Sequence, residues 1–391
     1  MSSIAGKAVA VDSREGLQQL LVEQGGSASF SLVMDWLLNN PEHGFYGSGR
    51  CCFGSRGDFV TAPYLGSALA HHLLKQLLPC FDLLAEQPGT LSLIEWGPGD
   101  GLFAQQLAQG FVAANPPWLP RLEILLLELN APLRQRQQQT LQHCPIRCHW
   151  PELQQLQQTP RRAVVVAHEL LDALPVDRFV LHQGRWHGLE VGLNAEADFQ
   201  WQRGAVLQPK IQCQLASLGL AMDGGGRPEG WCSEWCSSLE PWLQLVRQSI
   251  DEGWLLAIDY GHPAQRYYSP HRDGGTLLAY RGQLASPELL TEPGSWDITA
   301  HVCTTLLEQL APGSGWNWLG SVLQGEALLR LGLGTCWAEL SAPGAESLSW
   351  RLARREEYQR LTDPYQLGGF WWLQLGTPGL PSMEELVASR S

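Results

Sequence analysis

LSLIEWGPGDGL, residues 91–102, sets an apolar run ending in Glu95 against three glycines at alternate positions, Gly97, Gly99 and Gly101. That order describes a buried strand, a tight turn and the start of a helix. Glycine removes the side chain where the backbone turns sharply and approaches a ligand closely, so glycine-rich strand-to-helix turns serve as nucleotide pockets. The turn also bears on which nucleotide. A dinucleotide fingerprint requires G-x-G-x-x-G, but position 102 is Leu, and Asp100 puts a negative charge where a pyrophosphate needs bare helix N–H groups. A cofactor with positive charge and no phosphate tolerates both Glu95 and Asp100, and S-adenosylmethionine, with its sulfonium and ammonium groups, has that chemistry. Taken alone, the segment also reads as an ordinary Gly-rich turn in which Asp100 caps the helix.

Outward from this turn, apolar runs alternate with helical spacing, the pattern of a parallel sheet covered by helices on both faces. Strands are expected at 91–95, 122–128, 146–150, 163–168 and 254–259, and helices at about 101–114, 131–142 and 235–251. Residues 14–40 carry helical spacing, and a Gly-rich aromatic loop, 43–64, precedes a helix at about 65–78. Turn signals at Gln183-Gly184 and Asn194 predict antiparallel hairpins inserted in the core. The Gln-rich pieces at 135–139 and 154–158 read as solvated helix faces. The expected fold is therefore α/β, a Rossmann-like sheet with a helical N-terminal segment and inserted hairpins and helices. Residues 1–85 form the N-terminal region with its loop, 86–200 and 235–391 the core with additional C-terminal elements, and 201–234 an insertion.

The 391 residues carry a net charge of -13, which speaks against a nucleic-acid backbone as the main partner. The first residues lack a secretory pattern and no apolar run reaches a membrane-spanning length, so no membrane insertion is expected and the chain reads as cytoplasmic. The ten cysteines do not form paired CxxC knuckles, and no metal site is expected. The many tryptophans are scattered and read as core and contact residues.

Ligands of an open parallel sheet sit at its strand ends. Glu95 ends the first expected strand, Glu128 the second, Glu169 and Asp172 follow the fourth, and Asp259 ends the fifth. Glu128 stands where a nucleotide fold holds an acid that accepts both ribose hydroxyls. A solvated or capping carboxylate is the alternative there, and its pairing with the Glu95 turn favours the ribose role.

The runs GFYGSGR with FGSRGDFVTAP, IEWGPGDG, HELLDALPVDRFV, AIDYG, GTLLAYRG and DITAHV occur in the order seen in the MidA-like methyltransferases. That family includes a mitochondrial complex I assembly factor that methylates protein arginine, and its bacterial relatives. The resemblance spans about residues 30 to 305. It implies a class I S-adenosylmethionine-dependent fold and methylation of a protein arginine, with a respiratory-complex-type subunit as one candidate partner. On the positions that match, Glu95, Gly97 and Gly99 correspond to the family's cofactor turn and Glu128 to its ribose acid. Gly57, Asp58, Thr61 and Pro63 match a loop that the resemblance places over the cofactor. Glu169, Asp172, Ala173 and Pro175 match the E-x-x-DALP segment, Asp259, Tyr260 and Gly261 match DYG, and Asp297, Thr299, Ala300 and His301 match D-x-TAHV. Tyr64 departs from the usual Glu, His168 from Asn, and Gln283 from His, all on the acceptor side.

Methyl transfer needs the acceptor nitrogen in line with the methyl group, so positioning supplies most of the acceleration. An arginine acceptor is permanently cationic with five donors. Glu169 with Asp172 or Asp259 are the candidates to hold it. The alternative is that Asp172 caps the turn before Pro175 and Glu169 braces the loop. His168 and His301 are weighed as bases against the role of hydrogen-bonded core residues. A small-molecule methyltransferase, or an assembly protein that keeps the fold without transfer, are the other readings, and the oligomeric state is left open, homodimer included.

Overall fold

The computed structural model describes residues 12–54, 57–58, 61–340 and 347–389. The first eleven residues, on which the secretory reading partly rests, and Phe59 and Val60 of the loop motif lie outside them. Seven strands form the central sheet: β1 (Leu91–Trp96), β2 (Leu122–Leu127), β3 (Arg147–His149), β4 (Arg161–His168), β5 (Ile250–Asp259), β6 (Asn317–Leu323) and β7 (Trp371–Gly376). They hydrogen-bond in the order β6-β7-β5-β4-β1-β2-β3. The β5, β4, β1, β2 and β3 neighbours are parallel, and β7 runs antiparallel to both β5 and β6.

This sheet follows from strands that are apolar on both faces. All six residues of β2 and the first five of β1 are buried, which a half-solvated strand would not tolerate. Alternate residues serve opposite layers. Leu91, Leu93, Ile124, Leu126, Val164, Val166, Leu256 and Ile258 pack against the helices Ala68–Leu84 and Leu102–Ala114. Ile94, Leu125, Ala163, Val165, Ala167, Leu255 and Ala257 pack toward the helix Leu239–Ser249 and a second sheet. That second sheet is antiparallel, with Ser27–Ala28, Arg185–Leu193, Asp177–His182 and Cys232–Trp235 in order and Phe199–Val206 paired on Arg185–Leu193. The expected hairpins are thus present. The helices Ser13–Glu23 and Phe30–Asn39 form a third core, in which Leu17, Leu21, Phe30 and Met34 meet Val191, Ala279 and Ile298.

Two elements differ from the sequence expectation. The helix expected from 235 starts at Leu239, because Cys232–Trp235 is recruited by Asp177–Val180 as an antiparallel strand. The Gln-rich helix Ala131–Thr140 is not a solvated face throughout, since Gln137 is fully buried. Its amide is used by the site described next, a long-range demand that local polarity does not reveal.

The strand order reverses between β1 and β4: β1 leads to β2 on one side, and β4 leads to β5 on the other. The crevice of such a sheet opens outside the carboxyl ends of those two strands.

Candidate active site at the strand ends

Gly97, Gly99 and Gly101 all have positive φ, at 72°, 56° and 87°. At Gly97 the requirement is also steric, because a β-carbon there would stand 2.6 Å from Leu170 Cδ1. The N-cap of the following helix is Gly101 and not Asp100, which lies one residue earlier, accepts from Leu102 N–H at 3.2 Å and also accepts the Tyr64 hydroxyl. Glu95 is buried beside it, and its Oε2 has no hydrogen-bond partner among the described residues. Burial, with the Asp100 charge adding to it, pushes the Glu95 carboxyl up to about 8, against a partial offset from the Ala104 N–H.

Glu128, just past β2, accepts from Asn130 N–H through Oε1 at 2.8 Å and from Gln137 Nε2 through Oε2 at 3.0 Å. Gln137 Nε2 also reaches the Gly99 carbonyl at 2.8 Å, while its Oε1 accepts from Trp150 Nε1 at 2.9 Å. One buried amide thereby ties the acid to the glycine turn. Burial raises the Glu128 pKa, opposed by these donors. Leu129, the next residue, is 86% exposed. An orphaned carboxylate oxygen, an acid one strand away and a bare apolar side chain fit a ligand with a cationic end, a ribose and a flat ring. S-adenosyl-L-methionine has those groups and carries no phosphate.

The 43–64 loop packs onto this turn, and a β-carbon at Gly99 would meet Phe53 Cε1 at 3.4 Å. Asp58 is committed to the loop's own architecture, accepting from Gly282 N–H at 3.1 Å and Cys52 N–H at 2.9 Å, while its carbonyl takes Gln283 N–H at 2.9 Å. Gly57 lies against Cys52, whose carbonyl oxygen would be 2.2 Å from any β-carbon there. Thr61 precedes the short helix Ala62–Leu65, and the buried Pro63 accepts from Gln106 Nε2 through its carbonyl at 2.9 Å. The guanidinium of Arg136 donates to the carbonyls of Gly49 and Cys51, fastening the loop to the helix that carries Gln137.

Beyond β4 and β5 lies a cluster of acids. Glu169 adopts φ 51°, and its Oε1 has no hydrogen-bond partner among the described residues but stands 3.3 Å from His168 Nε2. Burial first, then the charges of Asp172 and Asp297, push Glu169 up to about 8. Asp172 accepts the Tyr260 hydroxyl at 2.6 Å, and burial raises it to about 6. Asp259 is fully occupied otherwise: Oδ2 accepts from Leu171 and Asp172 N–H at 2.8 and 3.2 Å, and Oδ1 from Tyr260 N–H at 2.9 Å. Of the three acids expected to hold an acceptor, Asp259 therefore braces the turn that presents the other two. Asp297, matched in the D-x-TAHV run but given no role there, joins the cluster. It accepts the Tyr46 hydroxyl at 2.8 Å and is raised to about 8 by burial and the Asp172 charge. Among the described residues no Arg or Lys ion-pairs with any of these four acids. The His168 ring lies tilted against Phe103 with centroids 5.0 Å apart, and burial holds both His168 and His301 down at about 4, so both are neutral near pH 7.

Comparison with known proteins agrees with this geometry. Residues 72–322 match a family model described as "Putative S-adenosyl-L-methionine-dependent methyltransferase". The chain is 26% identical over 359 residues to a Drosophila melanogaster protein named "Protein arginine methyltransferase NDUFAF7 homolog, mitochondrial", spanning 85% of this chain and 77% of that protein. A Xenopus tropicalis protein named "Protein arginine methyltransferase NDUFAF7, mitochondrial" is 26% identical, spanning 80% and 74%. A Burkholderia thailandensis protein solved with S-adenosyl-homocysteine superimposes with a TM-score of 0.82 at 26% identity, over 96% of this chain and 95% of that one. The mitochondrial names conflict with the cytoplasmic assignment, which is withdrawn. Charge and the lack of a long apolar run bear on membranes and nucleic acids, and they do not distinguish compartments. No helix among the described residues is long and apolar enough to cross a membrane. The fold and the family match agree: the chain belongs to the family of S-adenosyl-L-methionine-dependent methyltransferases, and S-adenosyl-L-methionine is its cofactor.

Proposed function

We propose that the chain methylates an arginine side chain of a protein partner. The observation that carries this reading is the buried pair Asp172 and Asp297 with the half-buried Glu169 beside them, acids with no Arg or Lys ion pair among the described residues and, near Glu169, only the neutral His168. Three uncompensated carboxylates are costly to ionise in a buried site, and a bound cation removes that cost. The arginine methyltransferase names of the relatives support the same substrate class.

Bound S-adenosyl-L-methionine supplies an electrophilic methyl group on a sulfonium. Glu95 Oε2 would hold the ammonium end of the cofactor, and Glu128 would accept from the ribose hydroxyls. Gly97 and Gly99 let the backbone approach, and Phe53 with its loop, held in shape by Gly57, Asp58, Thr61 and Pro63, excludes solvent. On the acceptor side the tyrosine hydroxyls of Tyr260 and Tyr46 fix one oxygen each of Asp172 and Asp297, which leaves the remaining carboxylate oxygens for a guanidinium. Asp259 keeps the 169–172 turn rigid. Bound cations bring Glu169 down from about 8 and hold it ionised, so that its Oε1, without a hydrogen-bond partner among the described residues, can take the proton a guanidinium nitrogen releases on methylation.

The test is a quantitative comparison of methylarginine peptides by mass spectrometry in cells with and without the gene. The reading predicts at least one arginine site that loses methylation on deletion and regains it with the wild-type gene but not with Glu169→Gln. An unchanged methylarginine profile, with the protein present and folded in the control, overturns it.

A further inference from the structure

On the far side of Tyr260 from Asp172, a second group of side chains has no counter-charge. The Tyr260 ring stands edge-on to His301 with centroids 4.8 Å apart, and His301 lies over His262 at 4.8 Å. Burial first, with the charges of Arg266, on the short helix Ala264–Tyr267, and Arg272, in the following loop, adding to it, holds both imidazoles down at about 4. Among the described residues neither guanidinium forms an ion pair with a carboxylate. Two buried ring and guanidinium nitrogens are also left over: among the described residues His301 Nδ1 and Arg272 Nε have no hydrogen-bond partner. In a chain of net charge -13, four basic groups gathered without an acid form an exception that the fold actively maintains. His262 is fixed by the parallel pairing of Gly261–His262 with Val302–Cys303, and the His301 backbone N–H is held by Thr276 Oγ1 at 2.9 Å.

We propose that His262, Arg266, Arg272 and His301 form a binding site for an oxyanion, a carboxylate or a phosphoryl group, next to the acceptor acids. Both guanidiniums donate to the ligand, Arg272 through Nε among others, and His301 Nδ1 supplies a further N–H. Tyr260 is the shared wall, with its hydroxyl on Asp172 and its ring against His301. A protein substrate that offers an acidic side chain close to its acceptor would engage both sites at once, the anion here and the cation on Asp172 and Asp297. That link rests on the protein-arginine reading, whereas the anion site itself does not.

The test uses the full chain with histidine ring signals observed by NMR, titrated separately with inorganic phosphate and with acetate, and then with a short peptide holding one Arg and one Glu. The expected result is a saturable shift of the His262 and His301 signals with phosphate or acetate, weakened about ten-fold or more in Arg266→Gln/Arg272→Gln. S-adenosyl-L-methionine affinity should stay the same in that variant, which also reports an intact fold. Arg266→Gln alone, at an exposed position, serves if the double variant does not fold. No saturable shift with any probe, or shifts equal in wild type and variant, overturns the site. Saturation by phosphate and acetate with no tighter binding of the peptide keeps the anion site and removes its role in substrate recognition.

Discussion

Gln137 connects the two halves of the cofactor site, because its amide nitrogen touches both Glu128 and the Gly99 carbonyl. Gln137→Leu leaves that carboxylate oxygen and that carbonyl without their donor. The expected result is a roughly ten-fold weaker affinity for S-adenosyl-L-methionine by isothermal titration, the equivalent of one charge-assisted hydrogen bond. An unchanged affinity would mean that the ribose acid is positioned by other contacts. Titration behaviour at this scale has a definite sign. Glu169 stands at about 8 when folded against 4.5 for a free glutamate. Between those values the folded chain holds a proton that the unfolded chain has lost, so this group makes stability fall as pH rises through about 4.5 to 8. Glu169→Gln removes the effect. The melting temperature of the variant should therefore gain on wild type as pH goes from about 5 to 8, and parallel curves would contradict the burial assigned to Glu169. Glu95, Glu128, Glu169 and Asp172 were legible in the sequence because each sits where an apolar run stops. Gln137 and the bracing of Asp259 were not. Their roles depend on partners many positions away, Trp150 and Gly99 for one, Leu171 and Asp172 N–H for the other.

Among the elements, the helix Leu348–Thr362 is fastened to the start of the helix Ala68–Leu84 by a single buried carboxylate. Glu357 accepts from Ala68 N–H at 2.7 Å and pairs with Arg354 at 2.6 Å. Glu357→Ala leaves a buried N–H and a partly buried guanidinium without a partner, and should cost about 2–4 kcal/mol by urea unfolding. Cofactor affinity should hardly change, since neither residue touches the turn. A loss below about 0.5 kcal/mol would show that the helix is held by its apolar contacts alone. The central strands were readable as elements because parallel strands buried on both faces are continuous apolar runs. β6 was not, since its pattern has only one buried residue and its place is set by pairing with β7. The strand Cys232–Trp235 was missed, with Trp235 taken as the first residue of a helix, for the same reason, its strand state being imposed by Asp177–Val180.

Over the whole molecule, the reversal of strand order, the glycine turn and the acids converge on one crevice. An acidic exterior of net charge -13 adds a general attraction for a basic partner segment, screened by salt over about 8 Å at physiological ionic strength. Methylation of a basic peptide should therefore slow as salt rises, mainly through a higher KM, and a salt-independent KM would count against a long-range contribution. The cofactor site carries the central claim, and isothermal titration of the intact chain with S-adenosyl-L-methionine tests it most directly. One saturable site is predicted, weakened about ten-fold or more in Glu128→Ala through loss of the ribose hydrogen bonds. No binding at about 1 mM cofactor by folded wild-type protein, or equal affinity in Glu128→Ala, would contradict the account.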